Sequence, residues 1–156
     1  MSDTADTANV IIRPPIAWAL ALLAALALQW LVPLPFMPAA VPPGWVGGVV
    51  FAMALALAVW AIATITRAGS NVPTNRPTTT IVDTGPYRFT RNPIYLGMFL
   101  LYVGIGLAVR SPWILILTLP LAITIRYGVV GREEAYLERR FGDAYRDYTS
   151  RVRRWL

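Results

Sequence analysis

Between Arg13 and Arg67 the chain carries no Asp, Glu, Lys or Arg, an uninterrupted stretch of 53 residues in a chain of 156. A soluble domain needs charge on its surface at far shorter intervals, whereas a membrane-spanning helix needs roughly 20 consecutive apolar residues. A second stretch, from Arg91 to Arg126, is charged only at Arg110. Composition agrees, with 56% hydrophobic and 14% charged residues, against about 25% charged in an ordinary soluble domain. These patterns exclude a soluble globular domain, a disordered chain and a disulfide scaffold. They leave an all-α polytopic membrane bundle of about four transmembrane helices.

Prolines and charges divide the chain. Residues 1–15 read as a polar tail, and the apolar runs 16–32, 44–66, 93–109 and 112–130 read as spans. The first run reads as a span rather than a signal sequence, because Asp3 and Asp6 precede it and the run is long. Pro33, Pro35, Pro38, Pro42 and Pro43 cannot continue a helix and make an uncharged loop. Arg67 to Asn92 is a polar loop, and Pro93 suits the first position of the following helix. Pro120 should kink the fourth span. The whole chain forms one domain.

All the basic residues are Arg, and the net charge is +6. In a membrane protein that excess marks cytoplasmic loops rather than a nucleic-acid partner. The central loop holds Arg67, Arg76, Arg88 and Arg91, the segment from Arg126 onward holds eight more, and the proline loop holds none. Both termini and the central loop are therefore expected in the cytoplasm, and the expected location is a bacterial inner membrane.

The C-terminal segment, residues 131–150, reads as a cytoplasmic amphipathic helix, interrupted at Gly142 with Asp143 capping a second piece. On a helical wheel Glu133, Glu134, Leu137, Phe141, Tyr145 and Tyr148 share one face, and Arg132, Arg139, Asp143 and Arg146 the other. Two adjacent acids on the apolar face are an anomaly, since burying an unpaired charge is costly. Either Glu133 pairs with Arg126 or Arg140 while Glu134 meets solvent near the headgroups, or both meet a ligand. A second cluster, Tyr87-Arg88-Phe89-Thr90-Arg91-Asn92-Pro93-Ile94-Tyr95, flanks the start of the third span. It is either an interfacial belt of aromatics and Arg, or a site where Arg91 and a helix N-terminus hold an anion. Gly97, Gly104 and Gly106 within that span serve close helix packing or admit a ligand to the backbone. There is no Cys and no His, so thiolate chemistry is excluded and the commonest metal ligand and general base are missing.

Taken together, GPYRFTRNPIYLG, a helical hairpin and REEAYLERRFGDAYRDY resemble the integral-membrane methyltransferases, which include isoprenylcysteine carboxyl methyltransferases and phospholipid N-methyltransferases. The resemblance covers roughly residues 69–154. It implies S-adenosylmethionine as methyl donor, in a pocket formed by the last two spans, the central loop and the tail, and a hydrophobic, membrane-embedded acceptor. It places the family motif on Arg91, Asn92, Pro93, Tyr95 and Gly97, its Gly-x-Gly on Gly104 and Gly106, and its paired acids on Glu133 and Glu134. Arg91 and Glu134 are the implied catalytic residues, and Tyr87 and Arg88 join the implied cofactor contacts. Asn92 stands where the motif has His; Asn cannot take a proton, so it implies positioning rather than base chemistry. Methyl transfer from a sulfonium needs alignment more than metal, Cys or His. A nicotinamide-dependent sterol-type reductase shares part of the motif but departs at Asn92 and Met98, and a non-catalytic membrane scaffold is the remaining alternative.

Overall fold

Three of the helices start on proline, whose fixed φ and missing N–H cost nothing at a first helical position. The computed structural model describes residues 7–36, 44–72 and 76–156, so Pro38, Pro42 and Pro43 of the proline loop and the first residues of the expected tail lie outside them. The helices are α1 (Pro14–Leu31), α2 (Gly44–Arg67), α3 (Pro93–Ala108), α4 (Pro112–Ile125), α5 (Gly131–Phe141) and α6 (Asp143–Arg151), with no strand among the described residues. Three helices are long and apolar enough to cross a membrane: α1, α2 and the continuous helix from Pro112 to Phe141; α3 is a shorter apolar fourth. The protein is an all-helical membrane bundle.

Large apolar side chains cover its outside. Trp45, Met53 and Leu119 are each about two-thirds exposed, a costly surface in water but the ordinary one against lipid tails. The interior is built from small residues and close contact instead, because lipid removes the hydrophobic drive between helices and leaves packing. Gly47, Ala54, Ala58 and Ala61 form the buried side of α2. They meet Gly97 and Gly104 of α3 so closely that a Cβ on Gly104 would lie 2.8 Å from the Phe51 nitrogen, and one on Gly47 would strike the Ala108 backbone. Gly106 faces α4, where a Cβ would lie 2.9 Å from Ile114 Cγ2. On the other side α1 packs on α4, and Trp18 donates from Nε1 to the Met98 carbonyl at 3.1 Å. Its ring meets Tyr102 edge-on, centroids 5.8 Å apart.

Two boundaries differ from the sequence reading. Residues 7–13, ahead of α1, are not a free tail. Ala8 is buried, Ile11 N–H donates to the Gly128 carbonyl at 3.0 Å, and Arg132 Nη1 donates to the Asn9 carbonyl at 2.9 Å. Backbone polar groups carry that docking, and hydropathy does not register them. The fourth span does not stop before the amphipathic helix either. A π-turn at Arg126–Val130 joins α4 to α5, giving one helix of 30 residues, and α4 runs on through Pro120. The break expected at Gly142 is there, with φ +53, a conformation that favours glycine. Asp143 does not cap α6 with its side chain; it accepts a bond from Arg146 Nη1 at 2.9 Å.

Candidate active site

A cavity of about 570 Å³ lies at the end of the bundle where the start of α1, the start of α3, the central loop, α5 and α6 converge. Ligand pockets of small molecules and cofactors fall in the range of roughly 300–1,000 Å³. Its wall includes Tyr87, Arg91, Asn92, Pro93 and Tyr95 from the 87–95 cluster, and Glu133 and Glu134 from α5. The two anomalies of the sequence thus face each other across one space. Arg13, Pro14 and Ile16 complete the wall. The expected pocket of the last two spans is corrected here: the start of α1 stands where the fourth span was expected, because residues 7–13 are tied to the π-turn.

Folding brings the cluster into register through hydrogen bonds to the tail. Tyr148 donates its hydroxyl to the Tyr87 carbonyl at 2.8 Å, holding the 3-10 turn Gly85–Arg88 against α6. The Thr78 N–H donates to the Tyr136 hydroxyl at 3.2 Å, holding the central loop on α5. Asn92 is buried, and its Nδ2 donates to the Arg154 carbonyl at 3.0 Å. That is a holding bond, of the kind an amide makes without a titratable proton.

The paired acids have different partners. Glu133 Oε1 accepts the Tyr95 hydroxyl at 2.8 Å. Burial pushes its carboxyl up to about 7, with the Tyr95 bond pulling down and the Glu134 charge pushing up. Glu134 is an ion-pair centre. Arg154 reaches it from Nε and Nη2, the shortest contact being 2.6 Å, and Arg91 Nη1 lies 3.3 Å from its other oxygen. Arg126, one of the two partners offered for Glu133, stacks over Tyr127 instead, and Glu134 is held by two arginines rather than by solvent. Burial and the Glu134 charge push the Tyr145 phenol up to about 12, against the pull of Arg91 and Arg154. Burial likewise raises the Tyr87 phenol.

Four of the candidate residues lie elsewhere. Arg88 is exposed and stacks over Phe89. Gly97, Gly104 and Gly106 do not line the cavity, since helix α2 or α4 already fills the space over each. Tyr102, in the same helix as these glycines, is buried between spans against Trp18. The sequence reading missed Tyr136, Arg13 and Arg154. Tyr145 and Tyr148, which also line the cavity, carried a signal, because they share the wheel face of the two acids. Arg154 carried none, lying beyond the end of α6 in a run of arginines.

Two buried donors at the cavity have no partner among the described residues: the Tyr87 hydroxyl and Arg91 Nε. An unsatisfied buried donor costs about 1–3 kcal/mol, so both suit a ligand that brings acceptors. No group of His, Cys, Asp and Glu among the described residues is placed to hold a metal.

Fold and site together define the class: a multi-pass helical membrane protein with a cavity that carries buried arginine, tyrosine and carboxylate groups at one end of an apolar bundle. A family model for phospholipid methyltransferases matches residues 43–144. The chain belongs to the phospholipid methyltransferase family. An uncharacterized protein of Haemophilus influenzae is 63% identical over 27 residues, which cover 17% of this chain and 43% of that protein. The match thus spans less than half the length of that curated relative.

Proposed function

We propose that this protein transfers the methyl group of S-adenosylmethionine to a hydrophobic acceptor that enters from the bilayer. One observation carries the reading: Arg91, Tyr87 and the Glu133–Tyr95 pair meet in a single cavity, with two buried donors unpaired among the described residues. Those donors and the acid fit a ligand that holds both a carboxylate and positive charge, which is what the methyl donor presents. When bound, S-adenosylmethionine supplies a methyl group already activated on a sulfonium, so the chain's task is alignment and electrostatics. Arg91 holds the carboxylate through its guanidinium. The faces of Tyr87 and Tyr95 attract positive charge. Glu133, ionising near neutrality, holds a cation when charged, and takes a proton from an acceptor amine or acid when one must leave. Asn92 positions the start of α3 through the Arg154 carbonyl.

In this reading the acceptor enters from the bilayer side, toward the apolar part of the cavity wall formed by Ile16, Ile65, Ile94 and Met98. An isoprenylcysteine-like carboxylate, a phospholipid amine or a similar small lipid is the acceptor this reading takes. The cavity end of the bundle is cytoplasmic in this reading, where the donor is available. Calorimetric titration of purified protein with S-adenosylhomocysteine, followed by labelled-methyl transfer into total lipid extract, tests it. Saturable binding and a labelled lipid product are expected. A folded protein that takes up neither ligand nor label sinks the proposal.

A further inference from the structure

The residues after α6 turn back across the start of α3. The Arg153 carbonyl accepts the Arg91 N–H at 2.9 Å, and the Arg154 carbonyl accepts from Thr90 Oγ1 at 3.1 Å. The Trp155 ring lies 5.9 Å from Phe99. This strap delivers the Arg154 guanidinium to Glu134, where Nε contacts both carboxylate oxygens at 2.8 and 3.0 Å and Nη2 contacts Oε2 at 2.6 Å. Arg91 touches the same carboxylate only at Nη1, 3.3 Å away. The stronger, forked contact belongs to Arg154, and Arg91, on the cavity wall, keeps a buried Nε unbonded.

A carboxylate so poorly solvated takes the best cation in reach. With Arg154 removed, Arg91 is the guanidinium left within 4 Å of Glu134 among the described residues, and it turns fully onto it. We propose that Arg154 is a positioning residue: by occupying Glu134 with its fork, it keeps the Arg91 guanidinium facing the cavity and available to an anionic group of the ligand. The identity of that anion rests on the function proposed above. The geometric part does not.

The experiment therefore has two arms. In the first, the nitrogen–proton resonance of Arg91 Nε is recorded on ligand-free protein in detergent, assigned by its loss in Arg91→Lys. It shifts in Arg154→Gln, as Arg91 takes over Glu134, and stays in place when Arg154→Gln is added to Glu134→Gln. An Arg91 Nε resonance unmoved by Arg154→Gln, or moved equally in the Glu134→Gln background, overturns the proposal. In the second arm, S-adenosylhomocysteine is compared with methylthioadenosine, which lacks the carboxylate. Arg154→Gln weakens the first at least tenfold and the second less than twofold, with Arg154→Lys between, since lysine keeps the charge without the fork. Equal loss for both probes marks a merely structural strap and also overturns it. Wild-type protein that binds neither probe removes the methyl-donor reading alone, and the resonance then decides the role of Arg154.

Discussion

Glu133 and Glu134 are neighbours with separate duties, and their partners assign them. Glu134 is held between Arg91 and Arg154 and orders guanidinium groups; Glu133 has one hydroxyl donor, Tyr95, and sits near its ionisation point. The sign of the pH effect follows. A carboxyl raised from 4.5 to about 7 binds more protons folded than unfolded in that interval, so its stabilising contribution is complete below about 4.5 and lost as pH rises through 7. Glu133→Gln, neutral at every pH, is expected to gain thermal stability relative to wild type between pH 5 and 8. Wild-type and variant melting curves that stay parallel over that interval would contradict it. The ammonium group of S-adenosylhomocysteine favours the ionised acid, so affinity should rise with pH up to about 7 and then level off; Glu133→Gln should flatten the profile. Arg91→Lys separates the site from a simple membrane anchor, because both side chains reach the interface equally well. We expect at least a tenfold loss of ligand affinity, about 1.4 kcal/mol, with insertion unchanged. Near-wild-type affinity would return Arg91 to the anchor role.

At the scale of elements, α2 and α3 touch backbone to backbone through Gly47 and Gly104. Gly104 also occupies the position that the family resemblance offers for cofactor contact, and the two roles give different results. Gly104→Ala puts a methyl 2.8 Å from the Phe51 nitrogen, which the neighbouring backbone cannot yield cheaply. Overpacking of this kind costs about 1–3 kcal/mol. Melting in detergent should fall, while ligand affinity per folded molecule stays within about twofold of wild type. A normal melting curve with lost affinity would put Gly104 in the site and remove it from packing.

The whole molecule has a sidedness that its arginines announce. The central loop and the C-terminal helices share one cavity wall, so they lie at one end of the bundle. With Arg67, Arg76, Arg88 and Arg91 in the loop and eight more Arg from Arg126 onward, that end should be cytoplasmic. The chain has no native Cys, which makes labelling clean. Thr84 and Ser150 are exposed, and single Cys residues at either should be protected from an impermeant reagent in intact cells. Ser70 is buried and unsuitable. External labelling at Thr84 or Ser150 would reverse the topology.

The one-dimensional pattern of charge and proline was enough to determine the helical class and the break at Gly142, because a long apolar run crosses a bilayer as a helix that satisfies its own backbone and a positive φ calls for glycine. It also singled out the 87–95 cluster and the Glu133–Glu134 pair, since charge on an apolar helix face is visible on a wheel. What it left open was which reading of each cluster holds. Gly97, Gly104 and Gly106 have the same sequence appearance whether they admit a ligand or a neighbouring helix, and only the approach of α2 and α4 decided for the helices. Docking of residues 7–13 on the π-turn and return of Arg154 to Glu134 rest on backbone carbonyls and on contacts 20 or more residues apart. Those are long-range partnerships, and no local periodicity encodes them; the tertiary structure alone chose them, by bringing residues 7–13 onto the π-turn and residues 153–154 onto the start of α3.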